Sequence, residues 1–93
     1  MSNFDKQFLL QGARCFWCQR LIPVALMTRD HIQPREHGGG DDWGNIVLAC
    51  ARCNESKSAL HVGSIRFEKW LRKVMRGEIY RFVRRETFKH NPT

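Results

Sequence analysis

Asp30 and His31 are neighbours in the chain, with Asn45, Asn54 and Lys57 following at intervals and two cysteine pairs bracketing the set. A carboxylate beside an imidazole puts a candidate metal ligand next to a candidate general base. On an extended segment successive side chains point to opposite faces, so Asp30 can hold a cation while His31 faces a water molecule. Imidazole exchanges protons near neutral pH, which suits it to taking one from that water. Asn54 offers an amide oxygen as a second ligand. Two oxygen ligands, with water filling the remaining positions, suit Mg2+ or Mn2+. Asn45 has no titratable proton; its expected role is to hydrogen-bond the backbone across the intervening loop and so fix His31. Together these residues have the makings of metal-assisted hydrolysis.

The cysteines belong to a different kind of site. Cys15-x2-Cys18 and Cys50-x2-Cys53 have the spacing that turns two thiolates toward one ion, and two such knuckles make a closed four-cysteine zinc site. A closed site is structural. Its binding free energy is folding free energy, of order 10–16 kcal/mol apparent in peptide fingers, against the ~5–15 kcal/mol of a typical domain. Loss of one ligand is therefore expected to unfold the chain. A redox Cys-x-x-Cys is the rival for either pair alone, but it goes with a βαβ pattern that is absent here. Cys15, Cys18, His31 and His37 also match the spacing of a finger with two cysteines and two histidines. That finger needs a helix running through both histidines, which Pro23, Pro34 and the glycines after His37 forbid, and it strands Cys50 and Cys53. A zinc deaminase would need His-x-Glu with Pro-Cys-x-x-Cys, whereas His31 is followed by Ile and Gln, and Ala49 precedes Cys50.

The elements that must carry these residues can be read in order. Residues 3–11 form a short helix capped by Ser2 or Asn3, with Asp5 in its first turn and Gly12 at its end. Val24 to Thr28 is a strand ending at Arg29-Asp30-His31. Residues 33–45, with Pro34, four glycines and two aspartates, are a loop. Ile46–Ala49 is the partner strand, and a helix follows from about Ala51 to His61. Phe67, Trp70, Leu71, Val74 and Met75 fall on one helical stripe, with Arg66, Lys69, Arg72, Lys73 and Arg76 on the opposite arc and Gly77 as the stop. Residues 78–89 form a further short helix through Ile79, Phe82 and Val83.

Ninety-three residues make one domain, 1–93, near the lower size at which an apolar core suffices unaided. The motif core covers 10–60 and a basic helical extension covers 64–93. The net charge of +7 is concentrated in that extension: residues 1–63 hold seven Lys and Arg against six Asp and Glu, residues 64–93 nine against three. Such a basic segment suits a polyanion, most simply nucleic acid, and equally suits a solvated surface. No apolar run approaches the ~20 residues needed to cross a bilayer, so no membrane partner is expected. The N-terminus lacks a basic and apolar leader, which points to a reducing cytoplasm, bacterial or phage-type, where paired cysteines hold metal.

In the order Cys15-x2-Cys18, Asp30-His31-Ile-x-Pro34, Gly38-Gly39, Asn45-Ile-Val-Leu, Cys50-x2-Cys53-Asn54-x2-Lys57, the chain resembles the HNH nucleases of the ββα-metal (His-Me finger) fold. The resemblance covers roughly residues 10–60. It implies a small α+β fold, a ββα-metal core with two zinc knuckles, flanked here by the N-terminal helix and the basic C-terminal helical segment. It implies that His31 is the general base, Asn45 the middle Asn that ties down the loop, and Asn54 the third motif position, where Asn replaces the eponymous His. It further implies that a cation on Asp30 and Asn54 contacts the scissile phosphate and the leaving oxygen, giving 5′-phosphate and 3′-hydroxyl ends.

Singly, Asp30 is most simply a turn residue, Asn54 a helix cap and His31 structural; their joint order argues otherwise. Arg29, Arg35, Arg52 and Lys57 flank the site, with Arg35 and Lys57 favoured to grip phosphates alongside Arg66, Lys69, Arg72, Lys73 and Arg76. His37 is a loop residue, and Trp17 and Trp43 are packing residues. The expected activity is a Mg2+- or Mn2+-dependent DNA endonuclease, a monomer that nicks or cuts duplex with limited sequence preference. The alternative is a non-catalytic zinc-stabilised module that binds nucleic acid.

Overall fold

The computed structural model describes residues 1–77. The short helix expected over 78–89 and the end of the basic extension lie outside the described residues. Helix α1 (Asn3–Leu10) starts where the Ser2 hydroxyl accepts from the Asp5 N–H at 3.1 Å, with Asp5 in the positive first turn. A three-residue 3-10 turn, Val24–Leu26, precedes strand β1 (Met27–His31). Strand β2 (Ile46–Cys50) leads directly into helix α2 (Ala51–Lys57), and helix α3 (Ile65–Met75) closes the described chain. The two strands are antiparallel, with Met27 opposite Cys50 and His31 opposite Ile46. This is a small α+β fold built on one hairpin and the helix that follows it.

Two expected boundaries and one expected core position change, each for a local reason. The strand begins at Met27 rather than Val24, because Pro23 feeds a tight turn in which the Leu26 N–H returns to the Pro23 carbonyl at 2.9 Å. Helix α2 stops at Lys57 rather than His61: Ser58 has φ +49°, outside the helical region, and its N–H closes the last turn on the Asn54 carbonyl. On α3, Phe67, Trp70 and Val74 are buried, but Met75 is exposed; about 100° further round the helix than Val74, it falls off the edge of the stripe.

Every residue of β2 is buried, as its unbroken apolar run requires. Val47 and Ala49 join Phe67, Trp70, Val74 and the cysteines in one core. Trp17 lies at its middle, edge-on to Trp70 at 5.3 Å and to Phe67 at 5.9 Å between ring centres. On the outer edge of β2 the Gln11 side chain behaves like a strand fragment. Its Oε1 accepts from the Leu48 N–H at 2.9 Å and its Nε2 donates to the Leu48 carbonyl at 2.8 Å.

One charged pair is sealed inside. Lys57 is 0% exposed and Asp30 4% exposed. The Lys57 ammonium donates to the His31 carbonyl at 2.6 Å and to Asp30 Oδ1 at 3.4 Å, while Trp17 Nε1–H donates to Asp30 Oδ2 at 2.7 Å. Lys57 was expected to grip phosphates; complete burial under β1 removes it from any surface and corrects that assignment. Burial raises the Asp30 carboxyl above its ordinary range, with Lys57 and Trp17 pulling in the opposite direction. Desolvation wins, so the ionised carboxylate is tolerated only because its partners are there. Lys57→Met leaves it unpaired and is expected to lower stability by roughly 3–5 kcal/mol in urea unfolding at neutral pH. Because the folded state holds the Asp30 proton more tightly than the unfolded chain does, that deficit grows as pH rises through the carboxylate range and shrinks in acid. A loss that does not vary with pH would contradict the pairing.

Candidate active site

Side chains on β1 alternate, and the alternation sorts the site. Asp30 faces inward onto Trp17 and Lys57, while the half-buried His31 faces the loop that joins the strands. An open cleft of about 430 Å3 lies over this end of the hairpin, and Asp30, His31 and Asn54 all line it, with Arg29 and Arg35 at its rim. The structure therefore brings three of the four expected reactive residues to one solvent-accessible depression.

The fourth, Asn45, lies behind His31 and holds the loop. Its Oδ1 accepts from the Gln33 N–H, and its Nδ2 donates to the carbonyls of Gln33 and Gly40, each at 2.9 Å. The Asn45 carbonyl accepts from Ile32 N–H at 2.8 Å. One side chain thus ties both sides of the loop immediately after His31. The loop is drawn so tight at Gly39 that a Cβ there would stand 1.7 Å from the Gln33 carbonyl oxygen, which only glycine avoids.

His31 Nε2 lies 2.7 Å from Asp41 Oδ1, and Arg35 Nε donates to the same oxygen at 2.6 Å. Hydrogen bonds to His31 and Arg35 hold the exposed Asp41 carboxyl below the usual carboxylate range. Asp41 therefore stays ionised at neutral pH, and an ionised carboxylate only accepts. The proton in this contact then sits on Nε2 and leaves Nδ1 as the basic nitrogen. Asn54 is anchored through its amide nitrogen, which donates to Thr28 Oγ1 at 2.8 Å and to the Arg29 carbonyl at 3.2 Å; its Oδ1 takes no donor among the described residues. Asp30 and Asn54 can supply two oxygens to a hard cation, with water for the rest. Asp30 would do so with both oxygens already accepting from neighbours, each keeping a lone pair. Arg29 is held over the rings of Phe4 and Trp43, at 5.8 and 5.5 Å from their centres.

The four sulfurs of Cys15, Cys18, Cys50 and Cys53 lie within 4.8 Å of one another. Tetrahedral zinc with bonds of about 2.3 Å sets its ligands about 3.8 Å apart, so the cluster has the dimensions of such a site. Cys50 caps α2 with its sulfur, which accepts the Cys53 N–H at 3.4 Å and thereby points inward. The neighbouring thiols, and burial after them, push Cys15 and Cys53 far above the ordinary thiol range. Thiols packed this way ionise only around a cation, and a divalent one could be held by all four.

Asp41 was missed in the sequence, where it is one of two aspartates in a glycine-rich loop; a carboxylate ten residues after the histidine was the only available signal. Of the cations expected to meet nucleic acid, Arg35 lies at the cleft but pairs with Asp41, and Arg66, Lys69, Arg72, Lys73 and Arg76 are all exposed along α3. No helix among the described residues is long and apolar enough to cross a membrane.

The family model of the HNH endonucleases matches residues 15–60. Over 50 residues the chain is 42% identical to the CRISPR-associated endonuclease Cas9 of Actinomyces naeslundii, an alignment that takes in 53% of this chain and 4% of that protein. The chain thus corresponds to a small part of that relative. Through residues 15–60, which carry both cysteine pairs, the hairpin and its loop, this chain belongs to the HNH endonuclease family.

Proposed function

We propose that the protein is a divalent-metal-dependent DNA endonuclease that hydrolyses phosphodiester bonds, with His31 as the general base. The observation that carries this function is the shared cleft of Asp30, His31 and Asn54, with His31 Nδ1 unengaged and directed by the Asp41 contact at Nε2. A phosphodiester entering the cleft meets Arg29 and Arg35 at the rim. His31 Nδ1 takes a proton from a water molecule as its oxygen attacks phosphorus, and Asp41 stabilises the imidazolium that results. The 3′ oxygen leaves and is protonated by solvent, giving 5′-phosphate and 3′-hydroxyl ends. Asn45 acts at one remove by keeping the backbone beside His31 in register. Asp30 and Asn54 would hold Mg2+ or Mn2+, which when bound supplies positive charge to the phosphate and the leaving oxygen. The four cysteines would hold zinc with a purely structural role. One site on one chain nicks a single strand at each encounter, in a reducing cytoplasm that keeps the cysteines from forming disulfides.

A specific observation favours a second reading, a non-catalytic zinc-stabilised module that binds nucleic acid: both oxygens of Asp30 already have partners, as a purely architectural carboxylate would. Supercoiled plasmid separates the two. With Mg2+ or Mn2+ the protein is expected to convert it to the nicked form, and His31→Ala to lose roughly 10²–10⁴-fold in rate. A folded His31→Ala protein that nicks undiminished would remove His31 from the mechanism. Asp41→Asn can still accept from Nε2 but no longer stabilises the imidazolium; we expect kcat to fall by at least about tenfold with KM nearly constant, and a change confined to KM would assign Asp41 to binding instead. Metal analysis is expected to find one zinc per chain. Cys53→Ser is expected to lose both the zinc and the cooperative thermal transition, since a contribution of order 10–16 kcal/mol exceeds what so small a core supplies.

A further inference from the structure

The cleft at His31 continues beyond its own rim. Ser58 and Ala59 line it on one side, and the same two residues line a second groove, of about 510 Å3, between the end of α2 and α3. The two depressions meet across Ser58-Ala59. Arg66, Lys69 and Lys73 line the second groove, and no acidic residue does. Positions i, i+3 and i+7 share one face of a helix, so the three cations form a row. All are exposed, and among the described residues no carboxylate pairs with any of them. The groove is floored by Trp70, which is fixed by its Nε1–H donating to Ser56 Oγ at 2.9 Å and by its packing on Trp17.

Three uncompensated cations held in a row on a rigid base repel one another, and a polyanion relieves that repulsion. At about 1.5 Å of rise per residue the row covers about 10 Å. Three consecutive phosphate-to-phosphate steps of one strand span a similar length, at about 3.4 Å each along a duplex. Resting on the nucleic-acid cleavage proposed above, we infer that the groove between α2 and α3 binds the phosphodiester backbone of the strand being cut, beside the scissile phosphate, through Arg66, Lys69 and Lys73. Arg72 lines neither depression, so the basic arc of α3 divides into a contacting row and a remainder.

The test separates binding from cutting. The His31→Ala protein is titrated with a fluorescein-labelled, mixed-sequence DNA duplex across a salt series, each variant first being checked for an unchanged circular dichroism spectrum. Each of Arg66→Gln, Lys69→Gln and Lys73→Gln is expected to reduce the slope of log K against log salt by about 0.9, and the triple variant by about 2.7. Lys6→Gln on α1 removes one positive charge outside both depressions and is expected to leave the slope as it is. An unchanged slope in the triple variant overturns the inference, as does a fall with Lys6→Gln equal to that with Lys69→Gln, or a failure of His31→Ala to bind the duplex at all. The nuclease function fails separately: if the unaltered protein does not nick plasmid with Mg2+ or Mn2+ while the groove variants still lower the slope, the groove stands and the catalytic assignment falls.

Discussion

A buried triangle of Trp17, Asp30 and Lys57 holds the whole site in place. Its corners come from three separate parts of the chain: the first cysteine pair brackets Trp17, β1 carries Asp30, and the last turn of α2 carries Lys57. Each polar atom in it has a partner, and no buried side-chain nitrogen or oxygen among the described residues goes without one. That completeness is what makes a buried charge tolerable. It also sets the rotation of β1: with Asp30 fixed inward, His31 can only face the loop. The Lys57 bond to the His31 carbonyl then pins the backbone of His31 itself.

Around this triangle the chain separates two kinds of donor atom. The soft sulfurs gather the ends of the motif region, drawing the first turn of α2 against the turn around residues 15–20. The hard oxygens of Asp30 and Asn54 are kept apart from them, lining the cleft, with Asp30 buried beneath it. A two-stranded hairpin is marginal in isolation. Here it is bounded by the sulfur cluster at one end and the Asn45-tied loop at the other, so a precise arrangement of side chains rests on very little sheet.

How much of this was legible in the residues depends on how local the cause was. The stripe on α3 and the cap at Ser2 are each dictated within one helix and could be read directly. The hairpin and the cysteine cluster follow from spacing together with the family resemblance. Lys57 could not be placed from its type: lysine is ordinarily a surface residue, and only a buried carboxylate 27 positions away explains its burial. Asp41 was equally hidden, because a glycine-rich loop does not announce which of its polar side chains will fold back. The early end of α2 depends on a left-handed serine, a conformation no propensity favours. In each case the deciding partner was distant in sequence or the backbone angle atypical.

The Gln11 amide, doubly bonded to Leu48, has a bearing on how copies of this chain behave together. The middle of an exposed strand is where a second molecule could add itself by backbone pairing. At Leu48 both outward-facing groups are already occupied by a side chain of the same chain, and the Phe16 N–H takes the carbonyl's other lone pair at 3.0 Å. This edge of the hairpin is therefore closed to lateral growth into a larger sheet, and crowding of many copies need not seed aggregation there.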